Sequence, residues 1–213
     1  MNSKLQEILI NILRLIGVFP TVLSNKKDII ELIKKLRPIS TDKELIRLGS
    51  KGDGGYLVPN DLEGISACFS PGVDKTSDFE LECAELGMEV YLADKSVDQP
   101  AINHSKFHFT KKFIGATNNE QFMTLDKWVE ISINEAESEL LLQMDIEGYE
   151  YETLLNISDH LLRRFRVIII EFHSLHMLWS QPFYKVASTV FEILLKNHSC
   201  VHIHPNNYNG VIK

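Results

Sequence analysis

Carboxylates and imidazoles gather at the ends of apolar runs in this chain, where a buried segment gives way to a turn. LLLQM is followed by Asp145-Ile146-Glu147-Gly148, RVIII by Glu171-Phe172-His173, and CVHI by His204-Pro205-Asn206-Asn207. A carboxylate beside a buried run is costly unless it is paired or used. Asp145 and His173 have the chemistry of general bases toward a weakly acidic hydroxyl, and Glu147 that of a group orienting the acceptor. Asp145, His173 and His204 also offer a ligand set for a divalent metal. The plainer alternative is a helix cap by Asp145 with acidic residues favouring the helix N-terminus; it accounts for one carboxylate and leaves the others unexplained.

A second group lies nearer the N-terminus. ISACF ends in Ser70-Pro71-Gly72-Val73, and EVYLA ends in Asp94. A glycine at such a turn lets the backbone approach a ligand closely, and an acidic residue about twenty positions on accepts hydrogen bonds from ribose hydroxyls. Gly72 and Asp94 have that spacing, which points to a nucleoside, with Ser70 beside it. The turn has one glycine, not the G-x-G-x-x-G that cradles a pyrophosphate. That disfavours NAD or FAD and suits a phosphate-free nucleoside such as S-adenosyl-L-methionine (SAM). Glu80 is placed to meet a ligand ammonium, or else is an ordinary exposed helix glutamate.

The elements that must position these groups alternate. Strands are expected at ISACFSPGV, EVYLADKS, KFHFTKKFIG, ELLLQMDIEG, RVIIIEFH and CVHIHPNN. Helices are expected at TSDFELECAELG (capped by Thr76 or Ser77 and stopped by Gly87), LDKWVEISINEA, YEYETLLNIS, SDHLLRRF and PFYKVASTVFEILLKN. Continuously apolar strands separated by helices indicate a parallel sheet covered on both sides. The expectation is a Rossmann-like, doubly wound α/β fold with a mostly parallel sheet, helices on both faces and ligands at the strand C-termini. Residues 1–40 form a helical N-terminal segment, with helices near 3–16 and 25–36, and residues 41–213 form the Rossmann-like domain. Few residues follow the sixth expected strand, whereas such sheets usually close with an antiparallel seventh; the domain is expected to be truncated there or its sheet incomplete.

Bulk properties narrow the class. The 213 residues are 44% hydrophobic and 24% charged, an ordinary globular composition with length for one substantial domain. A net charge of −7 argues against a nucleic-acid partner, which needs a basic excess; LIKKLRP and LLRRFR read as solvated helix faces and ends. Cys68, Cys83 and Cys200 are widely spaced and lack a CxxC pair, which fits reduced structural thiols in the cytoplasm. No apolar run reaches the ~20 residues of a membrane span. The amphipathic start, MNSKLQEILINILRLIGVF, reads as a helix packed on the domain or on a second subunit of a homodimer, with a membrane surface as the alternative.

LLQMDIEGYEYETLL followed by VIIIEFH resembles the FkbM-type methyltransferases, whose signature is an apolar strand ending in Asp-x-Glu-Gly and then an acidic helix start. LGSKGDGGYLVP, CFSPGVDKTSDFE and HIHPNN are similar to a subset of that family with a GDGGY loop, so the likeness runs from about residue 48 to 209. The resemblance implies SAM as methyl donor and O-methylation of a small-molecule hydroxyl, often on a sugar or polyketide. It implies that Gly72 and Asp94 belong to the cofactor site, that Asp145 faces cofactor and acceptor, and that Asp53, Gly54, Gly55 and Tyr56 form a loop over the pocket. The single-glycine turn departs from the usual multi-glycine motif. Two other classes remain as alternatives: a metal-dependent hydrolase using Asp145, His173 and His204, and a non-catalytic interaction module docking through its N-terminal helices.

Overall fold

The computed structural model describes residues 3–18, 20–52, 54–73, 76–134 and 137–205. Helix α1 (Ser3–Leu15) is followed by α2 (Lys26–Lys35), whose N-cap Asn25 accepts a hydrogen bond from Lys27 N. An antiparallel hairpin, β1 (Leu45–Gly49) with β2 (Gly55–Pro59), comes next. The α/β alternation then runs β3 (Ala67–Pro71), α3 (Asp78–Glu85), β4 (Glu89–Ala93), β5 (Phe107–Thr110), the short pair β6 (Phe113–Ile114) and β7 (Phe122–Met123), α4 (Leu125–Ser132) and β8 (Leu140–Met144). It finishes with α5 (Glu150–Asn156), α6 (Asp159–Arg164), β9 (Phe165–Ile170), a 3₁₀ turn (Leu175–Trp179) and α7 (Gln181–Leu195).

The main sheet has the order β5-β4-β3-β8-β9, and every neighbouring pair is parallel. Chain order reverses between β3 and β8, which makes that junction the switch point at which a doubly wound sheet leaves a crevice for ligands.

The period-two alternation of a strand divides the core cleanly. Cys68, Val90, Leu92, Leu141 and Val167 face α3 and the hairpin, packing with Phe79, Cys83, Leu48 and Val58. Ala67, Phe69, Ala93, Leu140, Leu142 and Met144 face the other way, onto Trp128, Val129 and Leu161. Trp128 stands edge-on to Phe69, centroids 5.0 Å apart, and neither ring is exposed to solvent. α2 is tied into the domain: Leu32 packs with Tyr151 and Leu154 of α5 and with Ala187, Val190 and Phe191 of α7. The apolar face of α1 (Ile8, Leu9, Ile12, Leu15) stays exposed.

Several sequence expectations change. CVHIHPNN forms no strand among the described residues; residues 199–205 run without sheet pairing, so the parallel sheet has five strands, and Cys200 lies outside it. The alternation of Val201 and Ile203 with histidines imitates a strand, but β9 is the sheet edge among the described residues. KFHFTKKFIG divides at Lys111-Lys112: its first half joins the sheet beside β4, and its second half pairs with β7. Ser77 occupies the N-cap of α3 without a side-chain cap bond. The hairpin was not foreseen, because LIRLGSKGDGGYLVP reads as a glycine turn entering a single strand. Gly55 belongs to that hairpin for a steric reason, since a Cβ there would lie 1.8 Å from the Ser50 carbonyl oxygen.

Gly72 is where strand order meets steric necessity. Its φ is +93°, and a Cβ built on it would lie 1.7 Å from the carbonyl oxygen of Asp145. The missing side chain lets the end of β3 rest directly on the end of β8. Replacing Gly72 with Ala should therefore cost roughly 2–5 kcal/mol, from left-handed strain plus overpacking. A urea-midpoint shift smaller than that of an exposed control substitution would show that the two strand ends separate at little cost.

Candidate active site

Strand alternation carries the inward face of the sheet straight into the crevice. Ser70 follows Cys68 by two residues, Gln143 follows Leu141, and Asp145 follows Gln143, so all lie on the α3-and-hairpin side. There they form a polar chain. The Ser70 hydroxyl lies 2.6 Å from Gln143 Oε1 and 2.6 Å from Glu80 Oε1, and Gln143 Nε2 donates to the Tyr56 hydroxyl at 3.1 Å. Ser70 has one proton for two acceptors. The chain is completed either by a proton on Glu80, whose carboxyl burial pushes above its ordinary value, or by Gln143 turning its NH₂ toward Ser70. Glu80 is thus not an exposed helix glutamate; it is 8% exposed and committed to Ser70. Tyr56 arrives on the hairpin, its ring edge-on to Phe79, and burial together with the negative charges of Asp145 and Glu171 pushes its phenol well upward.

Asp94 is at the end of β4 as expected. Its Oδ2 accepts from Val73 N at 3.0 Å, and its Oδ1 accepts from the backbone N and hydroxyl of Ser96 at 2.6 and 2.7 Å. It therefore braces the Gly72–Val73 turn, and lone pairs remain on the carboxylate for a further donor. Asp94 meets this turn through Val73 N, and Gly72 itself is required by the Asp145 carbonyl.

The densest chemistry lies past β8 and β9. Glu150, at the start of α5, is completely buried. Its Oε1 accepts from Ile146 N at 3.2 Å and Gly148 N at 3.1 Å, and it lies 3.0 Å from His173 Nδ1. The loop closes on it through two left-handed residues, Glu147 at φ +55° and Gly148 at φ +103°. Tyr151 holds the other side of this corner by donating its hydroxyl to the His173 carbonyl at 2.7 Å. His173 Nε2 then faces Asp145 Oδ1 at 3.9 Å and Glu147 Oε2 at 3.5 Å, while the Glu147 side chain is 86% exposed.

Asp145 Oδ1 is buried without a hydrogen-bond partner. Burial, with Glu171, Glu147 and Glu150 adding like charge against an opposing His173, raises its carboxyl to about 7. His173 is raised as well, by the negative charges around it. Burial disfavours its charge, but Glu150, Asp145 and Glu147 outweigh that and hold it above the ordinary histidine value. Asp145, Glu171 and His173 each place one ligand atom within 4.8 Å of the others. His204 is not in that group; it is exposed, its ring parallel to that of His202 at 6.3 Å. Asp53 lies outside the described residues. Glu150, Glu171 and Gln143 were not among the expected site residues. The signal for Gln143 was its place two residues before Asp145; for Glu171, its position at the end of the neighbouring strand.

Carboxylates converging at the switch point of a parallel sheet stand where α/β folds leave a crevice for ligands. Residues 60–196 match the family model described as the methyltransferase FkbM domain, and the chain belongs to that methyltransferase family. No curated protein and no solved structure matches the chain. The matched stretch begins after the hairpin, so Tyr56 reaches the site from outside it.

The raised Asp145 carboxyl makes a signed prediction. Its folded value lies above the unfolded ~3.9, so the folded state binds the extra proton between about pH 4 and 7 and loses stability as pH rises through that window. Asp145→Asn removes this loss. The variant should gain stability relative to the parent on going from pH 4 to pH 8, as followed by urea unfolding. A constant difference across that range would show that Asp145 titrates normally.

Proposed function

We propose that the protein is a SAM-dependent methyltransferase that methylates a hydroxyl of a small molecule such as a sugar or polyketide. The observation that carries the reading is Asp145, a carboxyl titrating near neutrality at the switch point of a methyltransferase-family sheet. A general base works best when its pKa lies near the working pH. Asp145 takes the acceptor's hydroxyl proton. His173, held above its ordinary value and fixed by Glu150, is better suited to orienting and balancing that charge than to taking the proton itself. Glu147, largely exposed beside His173 Nε2, faces incoming acceptor.

The residues present suit a phosphate-free nucleoside. Asp94, with lone pairs to spare at the end of β4, would hold the ribose hydroxyls, and the Gly72–Val73 turn that it braces would lie alongside. Ser70, Glu80, Gln143 and Tyr56 form the polar floor between this turn and Asp145. When bound, SAM supplies a methyl group on a positively charged sulfur, and much of the rate gain then comes from positioning the acceptor oxygen. No helix among the described residues is long and apolar enough to cross a membrane, which is compatible with a cytoplasmic enzyme acting on small metabolites.

Calorimetric titration of the full chain with SAM and with its demethylated product should show binding of both, and Asp94→Ala should weaken it. Turnover on a panel of hydroxyl acceptors, read as demethylated product formed, should fall roughly 10²–10⁴-fold in Asp145→Asn, the span of a lost general base. Binding of neither nucleoside overturns the transferase reading; unchanged turnover in Asp145→Asn overturns the role of Asp145.

A further inference from the structure

We propose that Asp145, Glu171 and His173 form a divalent-cation site, with Glu150 as the carboxylate that aims the histidine at the metal. Geometry carries the argument. Around a cation with ligands at ~2.1 Å, neighbouring ligand atoms lie about 3 Å apart and opposite ones about 4.2 Å. Asp145 Oδ1 and His173 Nε2 are 3.9 Å apart, and no two of the three ligand atoms are more than 4.8 Å apart. All three atoms are therefore within reach of a single ion.

Three further observations point the same way. Asp145 Oδ1, the oxygen 3.9 Å from His173 Nε2, is buried and without a hydrogen-bond partner, a costly condition that a cation relieves. His173 Nδ1 lies 3.0 Å from Glu150 Oε1, and a carboxylate can only accept, so Nδ1 carries a proton and Nε2, facing Asp145, is the nitrogen left for a cation. Metal-binding histidines are oriented by this kind of outer carboxylate. Glu150 is itself wholly buried against His173, with Oε2 unpartnered, and so adds negative charge behind the ligands.

Two carboxylates, one imidazole and no thiol suit Mn²⁺ or Mg²⁺. The cysteines lie elsewhere, Cys68 and Cys83 inside the core against α3. Three protein ligands leave coordination positions open to water or to an acceptor hydroxyl. Resting on the transferase reading, the cation would hold and acidify that hydroxyl, so that its proton leaves to solvent when Asp145 serves as a ligand rather than as the base.

The test is titration of the full chain with Mn²⁺, followed by calorimetry and by loss of the free-ion electron paramagnetic resonance signal, with Mg²⁺ as competitor. One Mn²⁺ per chain is expected. Glu171→Gln and His173→Ala should each weaken binding at least tenfold. Glu150→Gln should weaken it ~10–100-fold with unchanged stoichiometry, and His204→Ala should leave it unchanged. Thermal melts of each variant separate lost affinity from lost fold; if Glu150→Gln unfolds, the other two variants decide. Absence of Mn²⁺ binding, binding indifferent to Glu171→Gln and His173→Ala, or binding lost in His204→Ala each overturns the site. Mn²⁺ binding without nucleoside binding removes the transferase reading and leaves the cation site; the converse removes only the cation site.

Discussion

A single buried carboxylate oxygen, Glu150 Oε1, holds the chemical end of this molecule together. It takes the backbone N–H groups of Ile146 and Gly148 and faces Nδ1 of His173. Loop, helix start and imidazole, contributed by segments 23 residues apart, therefore share one anchor. Burying a carboxylate is costly without donors, and the left-handed turn at Glu147 and Gly148 accompanies two backbone donors to Oε1, while Oε2 has none. The cost of a non-glycine residue in that conformation, on the order of 1 kcal/mol or more, is offset by the hydrogen bonds it enables.

From this anchor the site follows as a sequence of constraints. The closed loop sets Asp145 at the crest of β8, and the bare Cα of Gly72 lets the end of β3 lie against the Asp145 carbonyl. Asp94 then braces the adjoining turn from β4. Three strand ends are thereby locked at the switch point, and like charges crowd there because the topology leaves them no other place. The raised Asp145 carboxyl and the raised His173 imidazole are two faces of that crowding.

Much of this was legible in the sequence, for identifiable reasons. Continuous apolar runs such as LLLQM can be little but buried parallel strands, and the polar residue after each marks the crevice. Asp145, His173 and Glu147 follow from that rule and are found together. Longer-range partnerships were not legible. Nothing local in YEYETLL distinguishes a buried Glu150 from an exposed Glu152, because the difference is made by His173 arriving from β9. Glu80 was singled out by its place early in a helix, but its burial and its bond to Ser70 were not legible, because Ser70 comes from a separate strand. CVHIHPNN misled because alternation alone does not supply a neighbouring strand with free hydrogen-bonding groups.

The hairpin of β1 and β2 closes one side of the crevice, yet it lies before the residues that carry the family pattern. It contributes the phenol of Tyr56 and a wedge of Leu48 and Val58 against α3, while the transfer chemistry rests on strand ends downstream. Tyr56 and the strand-end carboxylates are thus encoded in separate stretches of the chain, one before the family pattern and one within it. Substitutions in the hairpin can therefore reshape that wall of the crevice while the strand ends carrying Asp145 and His173 keep supports of their own in Glu150 and Tyr151.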